Sequence, residues 1–297
     1  LMSTVVNYYE GKHDKEKLFK AYYYLGRVQY NAGNYAESMI SYTKAERLID
    51  SIDDDFIKGL LYAQLGMLHQ KYYDYPRSLQ AYEHAQYYYT ISGKTSHKYF
   101  TDLNIGYLLH EQKQYDKAEV IYKEVLSWSY SNGLWGLCQE ALEYLISLYD
   151  ETDNIAGTSE IINSRYGQLF PNSIYVIRTK AYNMALEGDK RAVELMKDTV
   201  WKLAQSSADT ISNYFYEAKI NKLLGNNEEA LRIYEKMHYI QDTLTMSSIK
   251  YPLLSVKAKF IESEYSIAQL KIREHKTTIV IICIFISLMT VLIFVVF

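Results

Sequence analysis

The sequence predicts an all-α chain: a solenoid of helix hairpins, then a juxtamembrane helix and one transmembrane helix. Three observations carry this. Small and aromatic residues recur at a spacing of about forty positions. Within each window they fall on one face of a helix. Residues 277–297, TTIVIICIFISLMTVLIFVVF, hold no charged side chain.

Residues 1–17 come first. Val5, Val6, Tyr8 and Tyr9 have the spacing of an amphipathic helix already under way, and no charged-then-apolar leader opens the chain. The expectation is that residues precede Leu1, including any signal peptide.

Residues 18–240 carry the repeat. Four windows align at Tyr22, Tyr62, Asp102 and Leu142, then at Leu25, Leu65, Ile105 and Leu145. Gly26, Gly66, Gly106 and Ile146 come next, and a small slot holds Ser38, Ser78, Ala118 and Thr158. Tyr42, Tyr82, Tyr122 and Ile162 form another slot, and Ala45, Ala85, Val125 and Arg165 a last one. Tyr22, Leu25, Gly26 and Gln29 lie at i, i+3, i+4 and i+7, and Tyr35, Ser38, Tyr42 and Ala45 share a second face. Each window is therefore a hairpin of two helices, turned at Asn31-Ala32-Gly33-Asn34. Asn34 with Glu37 has the spacing of a capping box, Asp74 caps the second repeat, and Asn226 with Glu229 repeats the device. Glycine and alanine let the backbones approach, and the tyrosines fill the space with hydroxyls at the wet edge. A single hairpin cannot bury its apolar face, so neighbours stack. Six hairpins are expected, near 19–48, 59–88, 99–130, 137–165, 174–204 and 211–239.

Residues 241–276 are expected to form a capping or stalk helix. Leu253, Val256, Phe260, Ser263, Ile267 and Leu270 trace a short heptad seam. It serves either a homodimer through 253–274 or the capping of the solenoid. Residues 277–297, at 1.5 Å each, would reach about 31 Å, the thickness of a bilayer core.

The totals exclude some functions. Net charge over 297 residues is −3, so no basic field points to nucleic acid. No phosphate-binding glycine loop, nucleophile elbow or paired metal-ligand spacing occurs, so no enzyme, cofactor or metal is expected. His69 and His110 sit near the ends of first helices, where a satisfied or solvated histidine is the default. Cys138, between Leu137 and Ala141, has the setting of a buried inert thiol. Cys283 lies in the apolar segment, too remote in kind to pair with it.

The motif YYYLGRVQYNAGNYAESMISY, with its counterparts in the next windows, resembles the tetratricopeptide repeat (TPR) family. The period is about forty where that family has about thirty-four, so six extra residues must lengthen helices or turns. The resemblance implies a right-handed superhelix with a concave groove lined by each first helix. Projected onto this chain, the groove holds Tyr23, Arg27, Tyr30 and Asn31; then Met67, Gln70 and Lys71; then Tyr107, His110 and Glu111; and then Glu143, Ser147 and Asp150. Their mixture of aromatic, amide and charge suits a peptide or protein ligand. With the stalk and span, the whole is similar to membrane-anchored TPR regulators of Bacteroidetes-type bacteria. That similarity implies a sensor in the bacterial inner membrane, with periplasmic repeats and an output part beyond Phe297. The alternative is a tail-anchored cytoplasmic scaffold without signalling output.

Overall fold

The structure, a computed structural model, describes residues 2–12, 14–245, 277 and 279. Among them every regular element is helical. They fall into two compact units, one ending at Leu48 and one beginning at Ile49.

The first unit holds α1 (Met2–Glu10), α2 (Lys15–Asn31) and α3 (Tyr35–Glu46). The Asp14 carboxylate caps α2 by accepting from the Lys17 N–H at 3.0 Å. Asn34 begins α3 without a side-chain cap bond, so the capping box expected there does not form. Gly26 faces the ring of Tyr42, and Ser38 Oγ donates to the Gly26 carbonyl at 2.8 Å.

In the second unit a 3-10 turn (Ile49–Ser51) precedes five helices of equal length. These are α4 (Asp55–Lys71), α5 (Tyr75–Ile91), α6 (Thr95–Glu111), α7 (Tyr115–Ser131) and α8 (Trp135–Glu151), each of 17 residues. Three-residue connections separate them. Two such helices and two such connections make up the forty-residue period, so the extra residues lengthened the helices. Each connection closes with a Schellman bond, from the N–H of Asp74, Lys94, Gln114, Leu134 and Asn154 to the carbonyl five residues back, at 2.8–2.9 Å. The geometry demands a left-handed residue in each turn. Gly93 and Gly133 supply it between hairpins, whereas Tyr73 and Lys113 adopt it at φ 56° and 61° within them. Asp74 and Asn154 also cap the next helices, through the N–H groups of Arg77 and Gly157.

The glycine slot behaves identically in successive hairpins. A Cβ on Gly66 would stand 2.6 Å from the Tyr82 ring, and one on Gly106 would stand 2.7 Å from Tyr122. Ser78 Oγ donates to the Gly66 carbonyl at 2.8 Å, so the small slot also bridges the two backbones. The phenols do not reach water. Tyr42, Tyr82 and Tyr122 are fully buried, contrary to the expected wet edge. Tyr82 Oη instead donates to Gln70 at 2.8 Å, and Tyr122 Oη meets His110 Nδ1 at 3.4 Å. A buried hydroxyl without a partner is costly, so the first helix must supply one.

Regularity ends after Asn154. The next helix, α9 (Ile155–Asn163), has 9 residues and stops at Ser164. Then come α10 (Arg165–Leu169) and α11 (Ile174–Leu186). Arg165, aligned by sequence with the alanine slot, lies beyond that break and rests on the rings of Tyr130 and Tyr166. The second helix of this hairpin is interrupted: α12 (Arg191–Leu195) runs into a π-helical turn (Met196–Val200) and α13 (Trp201–Leu203). A hairpin of α14 (Ser207–Leu223) and α15 (Asn227–Thr245) is the last among the described residues of this unit. The first helices α6, α8, α11 and α14 touch in sequence and form one layer.

No helix among the described residues is long and apolar enough to cross a membrane. This overturns the expectation of a single-pass inner-membrane protein. The proposed span, apart from Thr277 and Ile279, lies outside the described residues, as do the seam at 253–274 and Cys283.

Substituting Gly66→Ala tests the hairpin spacing. Overpacking costs about 1–3 kcal/mol, and improved helix propensity returns about 1 kcal/mol. A net destabilisation is expected in urea unfolding. A variant more stable than the parent would show that Tyr82 yields freely.

Candidate functional site

The groove residues projected from the sequence have unequal surroundings. In the first unit, Tyr23 is 3% exposed and packs between Phe19 and Tyr42. It is a core residue. Arg27 is exposed, with its guanidinium 6.0 Å from the Tyr23 ring centroid. Tyr30 is half-buried against Tyr35, and Asn31 is exposed.

In the second unit, Met67 is half-buried and Lys71 exposed, while Gln70 is committed to Tyr82. His110 is buried as well, with Nε2 at 2.8 Å from Glu151. Tyr115 donates to the other Glu151 oxygen at 2.8 Å. Burial works to raise the Glu151 carboxyl, but the bonds from Tyr115 and His110 outweigh it and hold it below the usual range. Tyr107 and Tyr144 are half-buried, come from the adjacent helices α6 and α8, and meet at 5.6 Å between ring centroids. Exposed Glu111 accepts from Tyr75 at 3.0 Å, and Glu143 accepts from Gln139 and Ser173. Ser147 is half-buried on the same helix. Tyr107, Glu111, Glu143 and Ser147 thus lie on two touching helices.

Asp150 occupies the slot that holds Gln70 and His110 in earlier repeats. There its hairpin partner would be a tyrosine, but the fourth repeat has Ile162. The exchange is paired, since the glycine slot holds Ile146, and both isoleucines are buried. Asp150 therefore has no phenol on α9 to bond, and it interacts with Tyr216 and Lys219 of α14 and Arg178 of α11. Burial pushes its carboxyl up to about 6, against the pull of Tyr216, Arg178 and Lys219.

Arg178 is the residue that repeat reasoning missed. It is 3% exposed. Its guanidinium lies 4.8 Å from the ring centroids of both Tyr175 and Tyr216. Nη1 donates to Asn213 Oδ1 at 3.3 Å, and Asn213 Nδ2 donates to the Val200 carbonyl, the last of the π-helical turn. Nε has no hydrogen-bond partner among the described residues, nor do Thr179 Oγ1 and Asn183 Oδ1. A signal was available. Arg178 falls at i+4 from Ile174 and at i−3 and i−7 from Ala181 and Ala185, an arginine within an apolar stripe. Unpaired cations are rare inside proteins.

Among the described residues no three His, Cys, Asp or Glu side chains converge as a metal site. Cys138 is buried, and burial raises its thiol.

The raised Asp150 carboxyl has a stability consequence. An unfolded aspartate releases its proton near ~3.9, while in the fold Asp150 keeps it to about 6. Between those values the fold binds the extra proton, so the stability this group contributes is full at acid pH and lost as pH rises towards 6. Asp150→Asn removes the dependence. The variant should gain stability relative to the parent between about pH 4 and 7, by at most roughly 3 kcal/mol and by less where solvent screens the half-exposed group. Thermal unfolding of both proteins across that range checks it, and a relative gain that shrinks as pH rises would exclude a burial-dominated carboxyl.

No protein-family model matches the chain, and no curated protein does. Solved structures do resemble it. The apo form of RapI aligns over 84% of this chain and 99% of its own length, with TM-score 0.57 and 13% identity. Aspartyl phosphate phosphatase F from Bacillus subtilis aligns over 81% of this chain with TM-score 0.59 and 14% identity, and this chain spans 64% of its length. A Rap protein complexed with competence and sporulation factor is a looser match, with TM-score 0.49 and 14% identity over 88% of this chain and 81% of that one. At such identities the likeness concerns the fold, a TPR-like helical repeat.

Proposed function

We propose that this chain is a helical-repeat adaptor that binds a peptide or protein partner on its first-helix face and performs no chemistry of its own. One observation carries the reading. Tyr107 and Tyr144 pair across adjacent helices while still partly exposed, with Glu111, Glu143 and Ser147 around them. Tyrosines braced by neighbours supply contact area at little entropic cost, and flanking carboxylates orient a partner. The likeness to RapI and phosphatase F supports the scaffold. Their own activities belong to those proteins.

In this reading the repeat region, residues 18–240, does the binding. Met67, Lys71, Tyr107, Glu111, Glu143 and Ser147 make the contacts in the second unit, and Arg27, Tyr30 and Asn31 are the available residues of the first. The buried Tyr23 and His110, and Gln70 through its bond with Tyr82, hold the helices in place.

The test is selection of peptides from a displayed random library against the full chain, then titration. Tyr107→Ala is expected to weaken a selected peptide at least tenfold, about 1.4 kcal/mol. Tyr87→Ala, on the second helix α5 and 59% exposed, is expected to change nothing. Greater dependence on Tyr87 than on Tyr107 would place binding elsewhere.

A further inference from the structure

Arg178 poses a problem that the packing around it does not solve. A guanidinium carries five donors and a permanent charge. Here one nitrogen, Nη1, reaches Asn213 Oδ1, and two tyrosine rings cover the faces. No carboxylate among the described residues forms an ion pair with it, although Asp150 is close enough to interact. Burial of a charge in this state is expensive. Two further buried polar atoms of α11, Thr179 Oγ1 and Asn183 Oδ1, also lack partners among the described residues. Arg178 lies where the repeat breaks down, on a helix that packs against the π-helical turn, and such turns are often retained at functional sites.

We propose that Arg178 is the receptor for a carboxylate of the bound partner, an acidic side chain or a chain terminus, taken up between Tyr175 and Tyr216. This rests on the peptide-binding reading and names the group that such a partner presents. The Nε edge of a guanidinium matches the two oxygens of a carboxylate. A phosphate dianion suits the place less well, because it would add a second negative charge next to Asp150 with few further donors at hand. Tyr175, half-buried, is the more exposed of the two rings on the guanidinium, and in this proposal it moves aside to admit the carboxylate. Rotamer changes of this kind are common on binding. Asp150 acts as the placeholder. Its interaction with Arg178 offsets the cation in the free protein and opposes an incoming anion.

The probe is N-acetyl-glutamate, monitored at the Arg178 Nε–Hε resonance of the full chain by nitrogen-15 NMR. The resonance is assigned by its absence in Arg178→Lys. Saturable movement is expected with N-acetyl-glutamate, and none with N-acetyl-glutamine or with inorganic phosphate at matched ionic strength. Asn213→Asp places a carboxylate beside the guanidinium from within and should abolish the response, and circular dichroism reports whether that variant folds. Asp150→Asn should tighten the probe at least threefold. Its dissociation constant can be measured even if Asn213→Asp fails to fold. No movement with N-acetyl-glutamate, an equal response to phosphate, or weaker binding in Asp150→Asn overturns the proposal. Peptides that bind through Tyr107 but are indifferent to Arg178→Lys would overturn it while leaving the adaptor reading intact. A response to the probe in a chain that selects no peptide would do the reverse.

Discussion

The hairpins depend on one contact, a tyrosine ring lying flat against a glycine of the partner helix. At Gly26, Gly66 and Gly106 any Cβ would enter the ring of Tyr42, Tyr82 or Tyr122. That approach buries the whole phenol, and a buried hydroxyl must be answered by a polar side chain. The first helix answers with Gln70 and His110. Three slots of the repeat, the glycine, the tyrosine and the polar residue near the helix end, are therefore one constraint. Ser38 and Ser78 reinforce it by bonding to the carbonyl that the missing side chain leaves open.

In the fourth repeat this contact is exchanged for another. Ile146 and Ile162 replace glycine and tyrosine, and the pair remains buried. The polar slot is then relieved of its structural duty. Asp150, which holds it, turns to α11 and α14 and enters a setting that favours its protonated form. From there the geometry drifts from the strict period: α9 is short, the next hairpin carries a π-helical turn, and a buried arginine stands in an apolar stripe. The regular repeats pair their buried charge, as Asp102 with Lys98, whereas the irregular ones hold a buried arginine without an ion pair among the described residues. A buried guanidinium is partly compensated by two aromatic faces and one amide, which is less than a salt bridge would provide.

Much of this was legible in the residues. Period, helix pairing and turn positions derive from glycine, alanine and tyrosine spacing, because helix geometry converts spacing directly into faces. The errors arise where a neighbour decides. Tyr23 has the spacing of a groove residue but is sealed by Phe19 and Tyr42. Asn34 has the residue type of a cap without making the bond. Arg165 aligns with an alanine slot, yet the chain has already broken at Ser164. Apart from these, the apolar run at 277–297 suggested a membrane span, whereas no described helix has the length and hydropathy to form one, and that run lies outside the described residues except at Thr277 and Ile279.

By itself, then, the amino-acid order determined that helices form, how long their repeat is and which small residues let them approach. These are local properties, governed by backbone sterics and by side-chain volume at fixed offsets. Only the tertiary structure decided which polar groups found partners and which did not. Whether Gln70, His110, Asp150 or Arg178 is satisfied depends on atoms contributed by another helix, at distances that no one-dimensional pattern encodes.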